Sequence, residues 1–237
     1  MHPARSNRAY RNAARVLRPL LRAITRRDWR GTEHLPTDTG FIAAGNHLTN
    51  VDPVTFAHYL YDQGIAPKIL AKSSLFGVPV VGWVLRTTGQ IPVYRGTADA
   101  GRSLEAAEQA LADGECVAVF PEGTLTRDPD LWPMLAKTGV ARLALDTRVP
   151  VIPIAQWGAQ DLLARYGKVF KPIPAKKVTV LAGPPVDLSD LYDRPRDAAT
   201  LREATRRVMA AITALLAEIR GEEPPEGVYD MRKQARA

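Results

Sequence analysis

The sequence predicts an α/β domain, in which a central mostly parallel or mixed sheet is flanked by helices, with a basic amphipathic helical arm in front of it. From residue 40 onward, short β-prone runs alternate with helical patterns, an order that places helices on both faces of a sheet. The 237 residues, 46% apolar and 24% charged, suit one globular domain. Of the net charge of +7, residues 1–30 carry +8, from nine Arg and one Asp, which leaves −1 for residues 31–237.

The arm, residues 1–30, is predicted to be helical over residues 8–27, because aliphatic residues recur at helical spacing and arginines gather on the opposite face. The aliphatic face consists of Ala13, Val16, Leu17, Leu20, Leu21 and Ile24, and the cationic face of Arg8, Arg11, Arg15, Arg18, Arg22 and Arg26. We expect this helix to lie on an anionic membrane surface. Two alternatives are that the aliphatic face packs on the domain, or that the arm binds nucleic acid. We expect no nucleic-acid partner, because the rest of the chain is slightly negative and has no nucleic-acid-binding motif.

The elements of the domain, residues 31–221, follow from apolar runs and their spacing. Buried strands are predicted at residues 41–44, 68–71, 90–94, 116–120, 151–155 and 178–182. Helices are predicted at residues 53–62, 80–85, 98–113, 139–146 and 198–220, the last of them ended by Gly221. Residues 222–237 are predicted to be a loose, flexible tail.

No secretory signal or membrane-spanning segment is predicted. The best candidate, residues 73–85, is uncharged for 13 residues and is interrupted by Gly77, Pro79 and Gly82, whereas a span needs about 20 apolar residues. This stretch is expected either to meet acyl chains or to belong to the core. A single Cys excludes an intrachain disulfide and indicates a reducing, cytoplasmic compartment. With only four His besides, no metal site is predicted.

Two strand ends carry residue types suited to proton transfer, and functional groups in open α/β sheets gather at the carboxyl ends of strands. His47 and Asp52 follow the first predicted strand, and a carboxylate on the far nitrogen of an imidazole makes it an effective general base. Alternatively, Asp52 only caps the next helix and His47 is a loop residue. Glu122 and Gly123 follow the fourth strand, where they could form a simple turn. His58 is interpreted as a partly exposed helix residue.

Four sequence blocks then occur in order over roughly residues 40–185. They are Asn46-His47 with Asp52 five residues after the His; residues 89–95, Gly-Gln-Ile-Pro-Val-Tyr-Arg; residues 120–124, Phe-Pro-Glu-Gly-Thr; and residues 149–155, Val-Pro-Val-Ile-Pro-Ile-Ala. Together they resemble the 1-acylglycerol-3-phosphate acyltransferase family, within the wider glycerolipid acyltransferase superfamily. The first block alone is a weak signal, whereas four blocks in the family's order are a specific one.

The resemblance implies a peripheral enzyme at the cytoplasmic face of the membrane. It implies transfer of a fatty acyl group from acyl-CoA or acyl-carrier protein to the free sn-2 hydroxyl of lysophosphatidate, giving phosphatidate, with no cofactor beyond the acyl thioester co-substrate. By that analogy His47 is the general base and Asp52 orients it, and no acyl-enzyme forms. The sequence agrees on the last point, because it has no Gly-x-Ser-x-Gly elbow and its one Cys lies in a predicted strand.

The substrate-binding residues come from the same resemblance. Arg95 is expected to hold the acceptor phosphate through its guanidinium fork. Glu122, Gly123 and Thr124 are expected to shape the acceptor site, and Lys72, which follows the second predicted strand, is a further phosphate ligand.

The chain departs from the family pattern at two positions. Leu125 stands where many members have an Arg, and Arg127 or Lys137 is expected to replace it. Tyr94 stands where an acid usually precedes the Arg of the second block. Both departures leave the acceptor open, so another lysophospholipid or a glycolipid is an alternative. A non-catalytic peripheral lipid-binding protein is the alternative from another class, disfavoured because His47 and Asp52 are both present.

Overall fold

The protein folds as a seven-stranded sheet with helices on both faces, which confirms the predicted fold class. The computed structural model describes residues 6–94 and 100–231. The strands are β1 (Thr25–Arg30), β2 (Phe41–Gly45), β3 (Lys68–Lys72), β4 (Ile91–Val93), β5 (Cys116–Val119), β6 (Val151–Trp157) and β7 (Lys176–Ala182). The helices are α1 (Arg8–Ile24), α2 (Asp52–Asp62), α3 (Pro79–Thr87), α4 (Ala100–Ala112), α5 (Gly139–Thr147) and α6 (Ala198–Arg220). Strands β2–β7 and helices α2–α6 therefore lie where the sequence patterns predict them.

The sheet has the strand order β1-β7-β6-β2-β5-β3-β4. All neighbours are parallel except β6 and β7, so β7 and its parallel neighbour β1 run opposite to the other five strands. The carboxyl ends of β2–β6 and the first residues of β7 and β1 consequently lie at one edge of the sheet, which we call the site edge. The end of α1 also lies there, because α1 leads directly into β1.

The core occupies both faces of the sheet, because successive side chains of a strand point to opposite sides. In β2, Ile42 and Ala44 belong to a buried cluster with α4, α5 and α6. Phe41 and Ala43 belong to a second buried cluster, which includes Phe56 of α2. The central strands are therefore covered on both faces, as expected for parallel strands with apolar runs.

The strand β1 differs from the prediction, which extends the first helix to residue 27. Helix α1 ends at Ile24, and the next six residues pair with β7 from Thr25 opposite Lys176 to Arg30 opposite Leu181. Four of the six residues are charged, so no apolar run marks this strand in the sequence. Charged residues suit an edge strand, because they discourage pairing with another chain. Backbone pairing with β7 thus determines an element that side-chain periodicity does not reveal.

Helix α1 is held against α2 by the carboxylate of Asp62. Arg18 of α1 and Arg27 of β1 lie 2.6 and 3.1 Å from its oxygens, and the indole of Trp29 donates a hydrogen bond to it at 3.1 Å. Burial works against the ionised form of Asp62, but these donors and the nearby imidazole of His58 lower its pKa overall. Some of the arm's arginines therefore face the domain.

The segment after α6 is attached to the domain at Tyr229, in contrast to the predicted loose tail. The amide of Leu135 donates a hydrogen bond of 2.9 Å to the carbonyl of Tyr229. The end of α6 is also fixed, because the guanidinium of Arg220 lies between the rings of Trp132 and Trp157, 4.2 and 4.5 Å from their centroids. The last helix and the following residues thus support the loop at residues 122–137.

Burial of His58 makes the stability of the fold pH-dependent. His58 is buried, not partly exposed as predicted, and burial lowers its pKa from 6.5 to about 4. Between these two pH values the unfolded chain binds more protons than the folded protein, so the free energy of unfolding falls as the pH falls. Relative to His58→Gln, we expect the wild type to lose about 1.5 kcal/mol between pH 6.5 and 5. Urea unfolding at the two pH values measures this loss.

The matched control is His34→Gln, which removes a half-buried histidine from the short helical turn at residues 32–34. An equal pH dependence in His58→Gln and the wild type would contradict the assignment to His58.

Candidate active site

The two loops that carry the predicted acid–base residues are neighbours at the site edge. Strands β2 and β5 pair from Phe41 opposite Cys116 to Ala44 opposite Val119, so the loops that follow them start side by side. The amide of Thr126 donates to the carbonyl of His47 at 2.7 Å, which joins the two loops directly. The parallel pairing of two strands thus converts two sequence motifs, 75 residues apart, into one site.

His47 and Asp52 form a hydrogen-bonded pair, with Nδ1 of the imidazole 3.0 Å from Oδ2 of the carboxylate. The same oxygen accepts hydrogen bonds from the amides of Leu48 and Thr49, the latter at 2.8 Å. Asp52 therefore faces back toward His47 and does not cap α2, whose N-cap residue, Val51, makes no side-chain capping bond. This geometry excludes the alternative in which Asp52 is only a helix cap.

The environment of the pair suits a base whose free nitrogen is Nε2. Asp52 is fully buried and its burial raises its pKa, an effect opposed by the hydrogen bonds from His47 and the two amides. The imidazole stacks on the ring of Phe120, with centroids 4.5 Å apart and planes 25° apart. A carboxylate on Nδ1 stabilises the tautomer with its proton on that nitrogen, so Nε2 can accept a proton.

Glu122 connects the His47 loop to the loop after β5. Its Oε1 accepts the amide of His47 at 3.0 Å, and its Oε2 accepts the amide of Met134 at 3.1 Å. Burial raises the pKa of Glu122 to about 8, against these two hydrogen bonds. Glu122 is almost fully buried. It therefore connects the two loops and exposes no surface that could contact the acceptor, in contrast to its predicted role in shaping the acceptor site.

A cavity of about 540 Å³ lies beside the pair, between α1, α2 and α3. His47, Lys72, Gly123 and Thr124 line it, so the structure brings four of the predicted site residues together. Apolar side chains from the three helices complete its walls, among them Leu17, Leu21, Val54, Val81 and Leu85. This combination of a few polar groups and an apolar wall is typical of a site for a small amphipathic ligand.

Comparison with known proteins shows which family the chain belongs to. A family model described as acyltransferase matches residues 26–157, which include both loops of the site. The chain belongs to the acyltransferase family.

Three relatives carry the name 1-acyl-sn-glycerol-3-phosphate acyltransferase. The chloroplastic protein of Brassica napus is 32% identical over 138 residues, which are 57% of this chain and 38% of that protein. The protein of Borreliella burgdorferi is 32% identical over 139 residues, which are 57% of this chain and 52% of that one. The mouse alpha protein is 30% identical over 185 residues, or 77% of this chain and 62% of its own length. The chain thus spans between about two fifths and three fifths of the length of these relatives.

The fold of this acyltransferase-family chain also matches a solved structure. The crystal structure of the 1-acyl-sn-glycerophosphate acyltransferase from Thermotoga maritima superposes with a TM-score of 0.63 at 24% identity. The superposition covers 91% of this chain and 85% of the other. At this identity, the likeness establishes a shared fold.

The predicted phosphate ligands have different placements. Arg95 lies outside the described residues. Arg127 is exposed and does not line the cavity, because Thr126 before it turns inward and donates a 2.6 Å hydrogen bond to the carbonyl of Trp132. Lys137 is better placed, because a Cβ on Gly123 would lie only 3.4 Å from its side chain. The left-handed backbone of Gly123, with φ of +71°, further favours glycine there.

The described part of the chain contains neither a metal-binding cluster nor a membrane-spanning helix. Among its residues, no cluster of three or more His, Cys, Asp or Glu is arranged to hold a metal ion. None of its helices combines the length and the apolar character that crossing a membrane requires.

Sequence reasoning missed a buried polar network behind the pair, centred on Gln156 at the end of β6. Its Nε2 donates to the carbonyl of Asn46 at 3.2 Å, and its Oε1 accepts the hydroxyl of Thr55 at 2.9 Å. Asn46 precedes His47, and Thr55 lies one turn after Asp52, so one side chain ties together the two segments that carry the pair. The feature of the sequence that could have revealed Gln156 is a polar residue near the end of an otherwise apolar strand, at the site edge.

The network predicts that Gln156 positions the pair. Gln156→Leu retains the volume but leaves buried polar groups unpaired, so it should allow the loop to shift. We expect kcat for acyl transfer to fall about 10- to 100-fold, with KM for the acceptor changed by less than about twofold. Steady-state thiol release from acyl-CoA measures both constants.

The buried Thr205 of α6, whose hydroxyl bonds the carbonyl of Leu201, supplies the matched control. Thr205→Val should lose stability but keep kcat. Gln156→Glu, which retains an acceptor for Thr55, should recover part of the lost rate. A wild-type kcat in Gln156→Leu would contradict the positioning role.

Proposed function

We propose that this chain is a 1-acylglycerol-3-phosphate acyltransferase, which transfers a fatty acyl group from a thioester to the sn-2 hydroxyl of lysophosphatidate. The observation that carries the proposal is the His47 imidazole, braced by Asp52 in the wall of an apolar cavity. The acceptor is taken from the names of the relatives.

The proposed reaction is a direct transfer assisted by a general base. Nε2 of His47 takes the proton of the acceptor hydroxyl as its oxygen attacks the thioester carbonyl, which forms the new C–O bond. Collapse of the tetrahedral intermediate breaks the C–S bond, and the leaving thiolate takes the proton from the imidazolium. Asp52 stabilises the imidazolium between the two proton transfers.

A direct transfer fits the chemistry of the only cysteine. Cys116 is buried in β5, and burial raises the pKa of its thiol well above the ordinary range. A thiol of this kind is a poor nucleophile, because the reactive species is the thiolate. Both acyl-CoA and acyl-carrier protein present the same thioester, so both remain donors in this proposal, and no further cofactor takes part.

Cationic groups near Gly123 and in the cavity are proposed to hold the acceptor phosphate. Lys72 lines the cavity, and the side chain of Lys137 packs against Gly123. Arg95 remains a proposed ligand from the family resemblance. Amine and guanidinium groups both bind phosphate, so the combination suits a lysophosphatidate head group and disfavours a neutral glycolipid.

We also propose that the protein docks peripherally on an anionic membrane, at its cytoplasmic face, through α1 and α3. Val16 and Leu20 of α1 are 63% and 57% exposed, and Val80 and Trp83 of α3 are exposed as well. The stretch at residues 73–85 is thus largely surface, which favours contact with acyl chains over a place in the core. Exposed aliphatic side chains next to arginines are the features of a helix that lies on an anionic bilayer.

Removal of the base tests the reaction. We expect His47→Ala to lower kcat about 10²- to 10⁴-fold, because a positioned proton acceptor contributes this much to such a step. Thiol release from acyl-CoA and from acyl-carrier protein, over a panel of lysophospholipid acceptors, measures the change. His34→Ala, at a histidine outside the cavity, should retain activity. Unchanged activity in His47→Ala would overturn the mechanism, and inactivity of the wild type across the panel would favour a non-catalytic lipid-binding protein.

Polar substitutions on α1 test the docking face. We expect Val16→Asn/Leu20→Asn to weaken sedimentation with phosphatidylglycerol vesicles about tenfold or more, because both side chains lose their transfer to an apolar phase. Val228, which is 64% exposed and lies after α6, provides a control of equal exposure. Val228→Asn should bind like the wild type. Equal binding by the α1 variant would show that this face does not meet the bilayer.

A further inference from the structure

A loop between β6 and β7 has an unusual charge. Residues 165–177, which comprise most of that loop and the first two residues of β7 and which we call the basic loop, contain five cations and no acid: Arg165, Lys168, Lys171, Lys176 and Lys177. The nearest acids along the chain are Asp161 and Asp187. Because residues 31–237 sum to −1, the rest of that segment carries −6. The basic loop is thus a segment of net charge +5 in a domain whose other residues are net negative.

The same loop exposes large apolar side chains. Val169 and Ile173 are 68% and 86% exposed, and Tyr166 and Phe170 are also exposed. These residues alternate with the lysines along the loop. In the described part of the chain, only Lys177 of the five cations has an acid within ion-pair distance, Asp28 at 3.2 Å.

The basic loop is anchored at its base, so its exposed side chains do not reflect a loose segment. Lys171 donates its amide to the carbonyl of Leu162 at 2.7 Å, and Phe170 pairs with Leu163 in an isolated bridge. The guanidinium of Arg165 donates to the carbonyls of Thr126 and Asp128. Arg165 therefore ties the loop to the segment after Glu122, and the remaining cations project from a fixed base.

The basic loop lies at the site edge, beside both the catalytic pair and the end of α1. The hydroxyl of Thr49, between His47 and Asp52, donates to the carbonyl of Leu163 at 2.6 Å. Arg26, two residues after α1, donates to the carbonyl of Ala175 at 3.3 Å. The loop is therefore continuous with the arm that the proposed function assigns to the membrane.

We infer that the basic loop is a second membrane contact, which docks on the anionic head groups of a phospholipid bilayer. This inference rests on the proposed function for its biological setting. Each lysine near an anionic surface gains electrostatic attraction, and its aliphatic stem allows the neighbouring apolar side chains to enter the interface. The exposure of Ile173 and Val169 favours a bilayer over an acidic carrier protein as the partner. Pairing with acidic groups alone would not require exposed apolar side chains beside the lysines. Contacts by α1 and by the loop would hold the mouth of the site toward the lipid.

Two loop variants test the apolar and the cationic contributions separately. We expect Val169→Asn/Ile173→Asn and Lys168→Glu/Lys171→Glu each to weaken binding to phosphatidylglycerol-containing vesicles about tenfold or more. Binding to pure phosphatidylcholine vesicles should be weak for all proteins. Val228→Asn serves as the control for the apolar variant, and Arg206→Glu on α6 serves as a control for the loss of an exposed cation. Unchanged vesicle binding in both loop variants would overturn the inference.

Activity assays separate this inference from the proposed function. With long-chain lysophosphatidate in anionic vesicles, both loop variants should lose activity in proportion to binding. With a short-chain, water-soluble lysophosphatidate and acyl-CoA, they should stay within about twofold of the wild type. Inactivity of the wild type with every acceptor would refute the proposed function. The vesicle-binding result would still show whether the basic loop contacts the bilayer. Without vesicles, a loss confined to acyl-carrier protein as donor would assign the loop to that protein and overturn the membrane contact.

Discussion

The geometry of the candidate site depends on one hydrogen bond, between Nδ1 of His47 and the buried carboxylate of Asp52. The carboxylate is expensive to bury, and three donors to one of its oxygens offset that cost: the imidazole and the amides of Leu48 and Thr49. The loop conformation and the hydrogen-bonded pair therefore stabilise each other. The imidazole is fixed in one orientation, with Nδ1 on the carboxylate and Nε2, the proposed base, turned away from it.

The fold supports this bond from several sides. Parallel pairing of β2 with β5 brings the loops together, Glu122 bridges their amides, and Gln156 joins the segments before His47 and after Asp52. On the other side of the loop after β5, Arg220 lies between two tryptophans and Tyr229 pairs with the backbone. The site is thus assembled from segments far apart in the chain, which makes its precision a property of tertiary packing.

Local patterns were sufficient to predict most of the sheet and the pairing of His47 with Asp52, because apolar runs and strand ends are properties of neighbouring residues. Local patterns were insufficient where contacts between residues far apart in the sequence determine the structure. Strand β1 has no apolar pattern and exists because β7 pairs with it, so the helix was predicted too long. His58 is buried and its ring packs edge-on against Trp29 of β1, which its own helix does not indicate. Gln156 was missed because its two partners are 101 and 110 residues away.

Nitrogen NMR of the imidazoles measures directly which ring nitrogen of His47 carries the proton. In ¹⁵N-labelled protein with neutral His47, we expect Nδ1 of His47 to carry the proton and Nε2 to be bare. His47→Gln would assign its signals by their loss from the spectrum. A neutral His47 with its proton on Nε2, or with rapid exchange between both nitrogens, would contradict the account, because Asp52 would then not hold the ring as a base.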